Sequence, residues 1–229
     1  MESKTSDIIY YANEFGPLTH KHLCDLTGMH EVSLWRKLPK MVHARQLYCA
    51  PQGMHRPNVY ATYNIMRRAD FTHDLARADV ATALKQTGLL TYWWQSREKL
   101  SREESVNEDG RFELSVELSD KIASFPYFLE VDIGSEGYRQ IEDKFKRYLA
   151  RPERGQVLFV IKFDPLRSHR TNPGTLAQLA QKFLDRQKPQ TWKTFLFATL
   201  EDFTTQPLGP ICHIAHDSAK YPILPRMRM

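Results

Sequence analysis

Apolar positions recur at helical spacing through the first part of the chain and alternate one by one further along. Asp7 to Phe15 reads as a helix stopped by Gly16-Pro17. Thr19 is placed to N-cap a second helix ending at Thr27, and Gly28 closes it. A third helix runs from about Glu31 to Ala44, and Pro39 inside it is expected to kink or shorten it. Two strand-like runs follow, Gln46 to Ala50 and Asn58 to Tyr63, around a turn from Pro51 to Pro57. Asp74 to Gln86 is helical and stops at Gly88; Leu89 to Gln95 is apolar, aromatic and strand-like. Arg97 to Glu108 reads as a charged loop. Phe112 to Leu118 alternates strictly, as a half-buried strand does. After a turn over Ser119 to Ser124, Tyr127 to Asp132 forms the strand around which the rest is organised. Ser135 is expected to cap a helix from about Glu136 to Ala150, with Ile141, Phe145, Tyr148 and Leu149 as its apolar stripe. Gln156 to Phe163 is apolar almost throughout, as in a strand buried on both faces. Asn172-Pro173 opens a helix to about Arg186, Thr194 to Thr199 is a last strand, and a proline-rich tail begins at Gln206.

This order predicts an α+β chain in three parts. Residues 1–68 have the layout of a winged helix-turn-helix: three helices, then a β-hairpin. Residues 69–205 form an α/β core in which a hairpin feeds a strand that a helix connects to a parallel neighbour. That layout is similar to the restriction-endonuclease-like core, of the PD-(D/E)xK type. Residues 206–229 are expected to be an irregular tail.

Composition narrows the class. With 229 residues and 41% hydrophobic content the chain can bury a core. No apolar run approaches the roughly 18–20 residues of a membrane span. The N-terminal stretch lacks a signal-peptide layout, and three dispersed cysteines suit a reducing compartment. A cytoplasmic, bacterial location is the expectation. The net charge of +5 is unevenly spread, with basic ends and an acidic middle, partly owed to the loop from Glu103 to Asp109. Basic segments neutralise phosphates, and acidic ones hold cations.

The third helix would then be the recognition helix. Ser33, Arg36, Lys37 and Lys40 are its candidate DNA contacts, and Trp35 is expected in the core. His55 and Arg56 would tip the wing, and Arg167 and Arg170 form a basic loop in the second domain. The His20-Lys21-His22 run with Tyr10-Tyr11 superficially resembles a tyrosine nickase site, but its helical context argues against that reading. Cys212-His213 and His216 have no second Cys/His pair to complete a metal clip.

The chemistry concentrates on Glu130 and Asp132, which share one face of their strand. Two carboxylates on one face call for a divalent cation or for water. Asp109 begins the preceding strand, and Lys144 lies on the following helix. In the nuclease-like layout an Asp starts the second strand and a Glu-x-Lys pair ends the third. Here Asp132 stands where Lys is commonest, and Lys144 is the substitute.

Asp109-Gly110-Arg111-Phe112, the run from Phe128 to Glu136 (FLEVDIGSE) and the Lys144/Tyr148 helix, with His73-Asp74-Leu75 and the winged-helix N-terminus, resemble the plasmid replication–relaxation family. That family includes the MobC-type mobilisation relaxases. The resemblance covers roughly residues 6–200, with one departure at Glu108, where the family usually has proline. It implies nicking of one strand at an origin of transfer, with Asp109, Glu130 and Asp132 holding Mg²⁺ or Mn²⁺. Lys144 would stabilise the scissile phosphate or position water, and Glu136 and Tyr148 would support these groups. Implied partners are double-stranded plasmid DNA at an origin of transfer or replication, an accessory mobilisation protein and a coupling protein; the winged-helix layout adds a second copy of the chain, since winged helices often dimerise. The alternative is a non-catalytic DNA-binding protein, a replication accessory factor or repressor, built on a degenerate nuclease fold.

Overall fold

The structure is a computed structural model that describes residues 3–52, 56–67, 71–95, 108–118, 121–134, 136–162, 172–186, 194–215 and 217–224. Two compact units divide the chain, Met1–Gln86 and Thr87–Met229. The fold is mixed α+β, with helices and one large mixed sheet.

The first unit holds α1 (Ser3–Glu14), β1 (Leu18–Thr19), α2 (His20–Thr27), α3 (Glu31–His43), β2 (Tyr48–Ala50), β3 (Val59–Ala61), α4 (Tyr63–Met66) and α5 (Phe71–Gln86). The three strands pair antiparallel in the order β1-β3-β2. Local chemistry sets the helix ends. Thr19 Oγ1 accepts from the His22 backbone N–H, and His22 Nδ1 accepts from the Thr19 N–H, each at 3.2 Å. This is a reciprocal capping box with His in the place usually taken by Glu or Gln. Gly28 ends α2 at φ 62°, a left-handed position that costs glycine least. Pro39 does not interrupt α3.

Trp35 corrects the expectation of a core position. The buried stripe of α3 is Leu34, Leu38 and Met41, spaced i, i+4, i+7, which leaves Trp35 on the flank. It is 55% exposed and lies against the His20 ring, centroids 4.8 Å apart. The boundary expected after residue 68 also moves. Helix α5 packs on α2 with small buried residues, among them Ala76, Val80, Ala81 and Ala83, and His22 Nε2 meets Asp79 Oδ1 at 2.7 Å. Close packing of small side chains ties this helix to the first unit.

The second unit is a seven-stranded sheet, order β10-β9-β8-β7-β6-β5-β4. Its strands are β4 (Leu90–Gln95), β5 (Gly110–Glu117), β6 (Ile122–Asp132), β7 (Gln156–Ile161), β8 (Phe195–Thr199), β9 (Cys212–Ile214) and β10 (Asp217–Tyr221). Its helices are α6 (Tyr138–Ala150), α7 (Pro173–Leu184) and α8 (Leu200–Thr205). β4, β5 and β6 form an antiparallel meander; α6 and α7 carry parallel crossovers to β7 and β8. Parallel neighbours need such crossovers, and the continuous apolar run of β7 suits its place in the middle of the sheet.

One face is covered by α6 and α7. Phe128, Val157, Phe159, Phe195 and Phe197 of the sheet meet Ile141, Phe145, Tyr148, Leu176 and Phe183 of the helices. On the other face Trp93, Phe112 and Tyr127 form an aromatic row, with centroids 6.3 and 4.7 Å apart. The expected irregular tail is instead part of the sheet. β9 and β10 extend it beyond β8, and the Tyr127 hydroxyl donates to the Ile223 carbonyl at 2.6 Å. β6 also begins earlier than expected: Ile122 to Ser124 pair with β5 rather than belonging to the turn. The expected cap at Ser135 lies outside the described residues.

Candidate functional site

The site stands at the C-terminal end of β6, where the strand meets α6. Alternation puts Glu130 and Asp132 on the face that carries Phe128, beneath α6. Both are buried, at 1% and 3% exposure. Asp109 precedes β5 and is held to β6 twice. Its N–H donates to the Leu129 carbonyl at 3.0 Å, and its Oδ2 accepts from the Val131 N–H at 2.6 Å. Asp132 Oδ1 accepts from the Gly134 N–H at 2.8 Å. Gly134 takes φ 86°, which lets the chain reverse at the end of the strand.

Helix α6 supplies the rest. Its first turn is closed by Gln140 Oε1, which accepts from the Gly137 N–H at 2.8 Å. Lys144 and Tyr148, one turn apart, share a face and reach the same carboxylate. Lys144 Nζ lies 2.6 Å from Glu130 Oε2 and 2.6 Å from Glu136 Oε1. The Tyr148 hydroxyl donates to Glu130 Oε1.

Electrostatics follow from this enclosure. Burial pushes the Glu130 carboxyl up to about 7; the Lys144 ammonium pulls against that and the nearby Asp109 adds to it. Burial works against the charge on Lys144, but Glu130, Glu136 and Asp109 outweigh it and hold its pKa above the usual lysine value. Burial, and then Glu130, raise Tyr148 well above an ordinary tyrosine.

A second charged group lies alongside, and sequence reasoning missed it. Glu108 is buried and bound by two arginines, Arg111 through Nε and Arg151 through Nη2, the latter at 2.6 Å. Both guanidiniums lie 5.2 Å from the Phe128 ring centroid. The only local signal was the Glu108/Arg111 spacing, because Arg151 is far away in sequence.

The structure therefore brings Asp109, Glu130, Glu136, Lys144 and Tyr148 together, with Asp132 one step further along the same strand face. The donors Asp109, Glu130 and Asp132 are all oxygen, which is the ligand chemistry of Mg²⁺ and Mn²⁺. Among the described residues no three His, Cys, Asp or Glu side chains stand grouped as a metal centre. Glu130 is engaged by Lys144 and Tyr148 instead. The DNA-contact candidates lie elsewhere: Ser33, Arg36 and Lys40 are exposed on α3, Lys37 is half-buried, and Arg56 is exposed. His55, Arg167 and Arg170 fall outside the described residues. No helix among the described residues is long and apolar enough to cross a membrane.

No curated protein and no solved structure matches this chain. A family model for replication-relaxation matches residues 41–156, a span that runs from the end of α3 to the first residue of β7. It contains Glu108, Asp109, Glu130, Asp132, Glu136, Lys144, Tyr148 and Arg151. Half of the sequence, and every residue of the carboxylate site, thus falls within that match: the chain belongs to the replication-relaxation family, whose theme is plasmid replication and mobilisation.

Proposed function

We propose that this protein binds plasmid origin DNA and nicks one strand there. The observation that carries the reading is Glu130, buried at the end of β6 and gripped by Lys144 and Tyr148 beside Asp109. A buried acid with a raised pKa and a specific charge partner is the kind of group that functional sites use.

The first unit acts as a winged helix-turn-helix. Helix α3 enters the major groove, with Ser33, Arg36, Lys37 and Lys40 toward bases and phosphates, and the β2–β3 hairpin is the wing, with Arg56 between its strands in sequence. The second unit acts as a nuclease-like core, supported by the order of its meander, crossover helix and parallel strand. Asp109, Glu130 and Asp132 are the residues that would hold Mg²⁺ or Mn²⁺. Such an ion, when bound, lowers the pKa of water and neutralises charge at a phosphate. The chain's own part is positioning. Tyr148 fixes the Glu130 carboxylate by donating to Oε1, and Glu136 anchors Lys144. Lys144 Nζ is the cationic donor available to a non-bridging phosphate oxygen, where a fixed charge stabilises the transition state.

A second reading has its own support. Glu130 is already engaged at both oxygens, and Asp132 stands in the usual place of Lys. That arrangement suits a DNA-binding protein whose nuclease-like unit is a scaffold. Supercoiled plasmid carrying the element's origin separates the two. Open circles formed by the wild type with Mn²⁺, and lost in Glu130→Ala or with chelator, support nicking. If neither protein nicks while both shift the DNA, with accessory protein supplied, the scaffold reading replaces it.

A further inference from the structure

We propose that the part of the helix-covered sheet face that lies over β4 and β5, carrying Tyr92, Trp94 and Arg111, is a stacking platform for single-stranded nucleic acid. The sheet register builds it. Trp94 pairs with Arg111, and Arg111 pairs with Phe128. Directly paired residues of antiparallel strands project to the same face, so these three form a row across β4, β5 and β6. Glu130 lies two residues beyond Phe128 on that face. Tyr92, paired with Glu113, begins the next row outward.

The two faces of β4 differ sharply. Trp93 points into the aromatic core row, whereas Tyr92 and Trp94 are 50% and 41% exposed. Two large aromatics turned to solvent on an edge strand are a feature that folding does not require. The arginine beside them sets the chemistry of the occupant. The Arg111 guanidinium lies 5.8 Å from the Trp94 ring centroid, and Glu108 holds its Nε. The Arg111 side chain is still 39% exposed. An aromatic face stacks an unpaired base, and a guanidinium next to it holds the phosphate. Duplex DNA keeps its base faces covered, so the platform selects unpaired nucleotides.

This inference rests on the reading that the protein handles DNA, but not on catalysis. Its test is therefore binding of labelled oligo(dT) to the full chain by fluorescence anisotropy, in EDTA and at fixed salt. Failure to nick leaves that measurement intact. Trp94→Ala is expected to weaken binding about 5- to 150-fold, the range of one stacked base, and Trp94→Phe to retain most of it. Tyr92→Ala is expected to act in the same direction. Both side chains are exposed, so the variants should keep the wild-type melting temperature. Equal affinity of wild type and Trp94→Ala overturns the proposal, as does a wild type that does not bind oligo(dT). If Trp94→Ala leaves oligo(dT) binding unchanged and instead splits a dimer in sedimentation, the face serves a second copy of the chain and the proposal fails.

Discussion

Lys144→Ala tests the electrostatic design of the site most directly. The substitution removes the ammonium that lowers the Glu130 pKa and leaves burial and Asp109, which raise it, opposed only by the Tyr148 hydrogen bond. Glu130 then keeps its proton above the value of about 7 that it has beside Lys144. An acid raised above its unfolded value binds its proton more tightly in the folded chain. Its stabilising effect is complete below the unfolded pKa of 4.5 and is lost as pH rises through the folded pKa. The wild type is half-ionised at pH 7, loses about 0.4 kcal/mol more and levels off near pH 8, with Lys144 still charged. The variant goes on losing about 1.4 kcal/mol per pH unit. Between pH 7 and about pH 8.5 the gap between the two proteins should therefore widen, by up to about 1.5 kcal/mol. Solvent screening takes little from this, since Glu130 is 1% and Lys144 13% exposed at the side chain. Urea melts followed by tryptophan fluorescence measure it. A Trp35→Phe background confines the signal to the second unit, because Trp93, Trp94 and Trp192 all lie beyond residue 87. Adding Glu130→Gln should abolish the widening. Parallel stability curves for wild type and Lys144→Ala from pH 5.5 to 8.5 would refute the reasoning.

Three further outcomes are expected. Tyr148→Phe removes a hydrogen bond to a buried carboxylate and should destabilise the second unit by about 1–3 kcal/mol at pH 8, read as a urea midpoint shift with unchanged slope. His22→Ala loses the half of the α2 capping box that its ring makes, in which Nδ1 accepts from the Thr19 N–H, and the Asp79 contact, and should cost about 1–2 kcal/mol. His22→Gln should recover part of that in thermal melts, because Gln serves the same capping position. Arg36→Ala and Lys40→Ala should weaken binding to origin and unrelated duplex alike, and each should reduce the slope of log affinity against log salt by about one. A loss confined to the origin sequence would instead mark that residue as a base contact.

Much of this protein was legible in its sequence wherever the deciding interaction is local. Thr19 and Gly28 marked the ends of α2 because capping acts between neighbours a few residues apart. Alternation over Phe112 to Leu118 revealed β5, and the spacing of Glu130 and Asp132 placed both on one face of β6. Lys144 was a candidate because the nuclease-like layout allows its lysine on the helix after the strand, and that helix packs on the sheet beside Phe128. Tertiary structure decided what depends on distant partners. The proline-rich end pairs as β9 and β10 only because β8 offers an edge, and short strands carry little pattern of their own. Trp35 is exposed because Leu34, Leu38 and Met41 claim the buried face of α3, a choice between overlapping helical stripes that only packing makes. Glu108 and Arg151 meet because the sheet brings the start of β5 to the end of α6. Sequence spacing records the period of an element and the chemistry of its ends; it does not record which remote charge will neutralise a buried one, because that depends on how the elements pack.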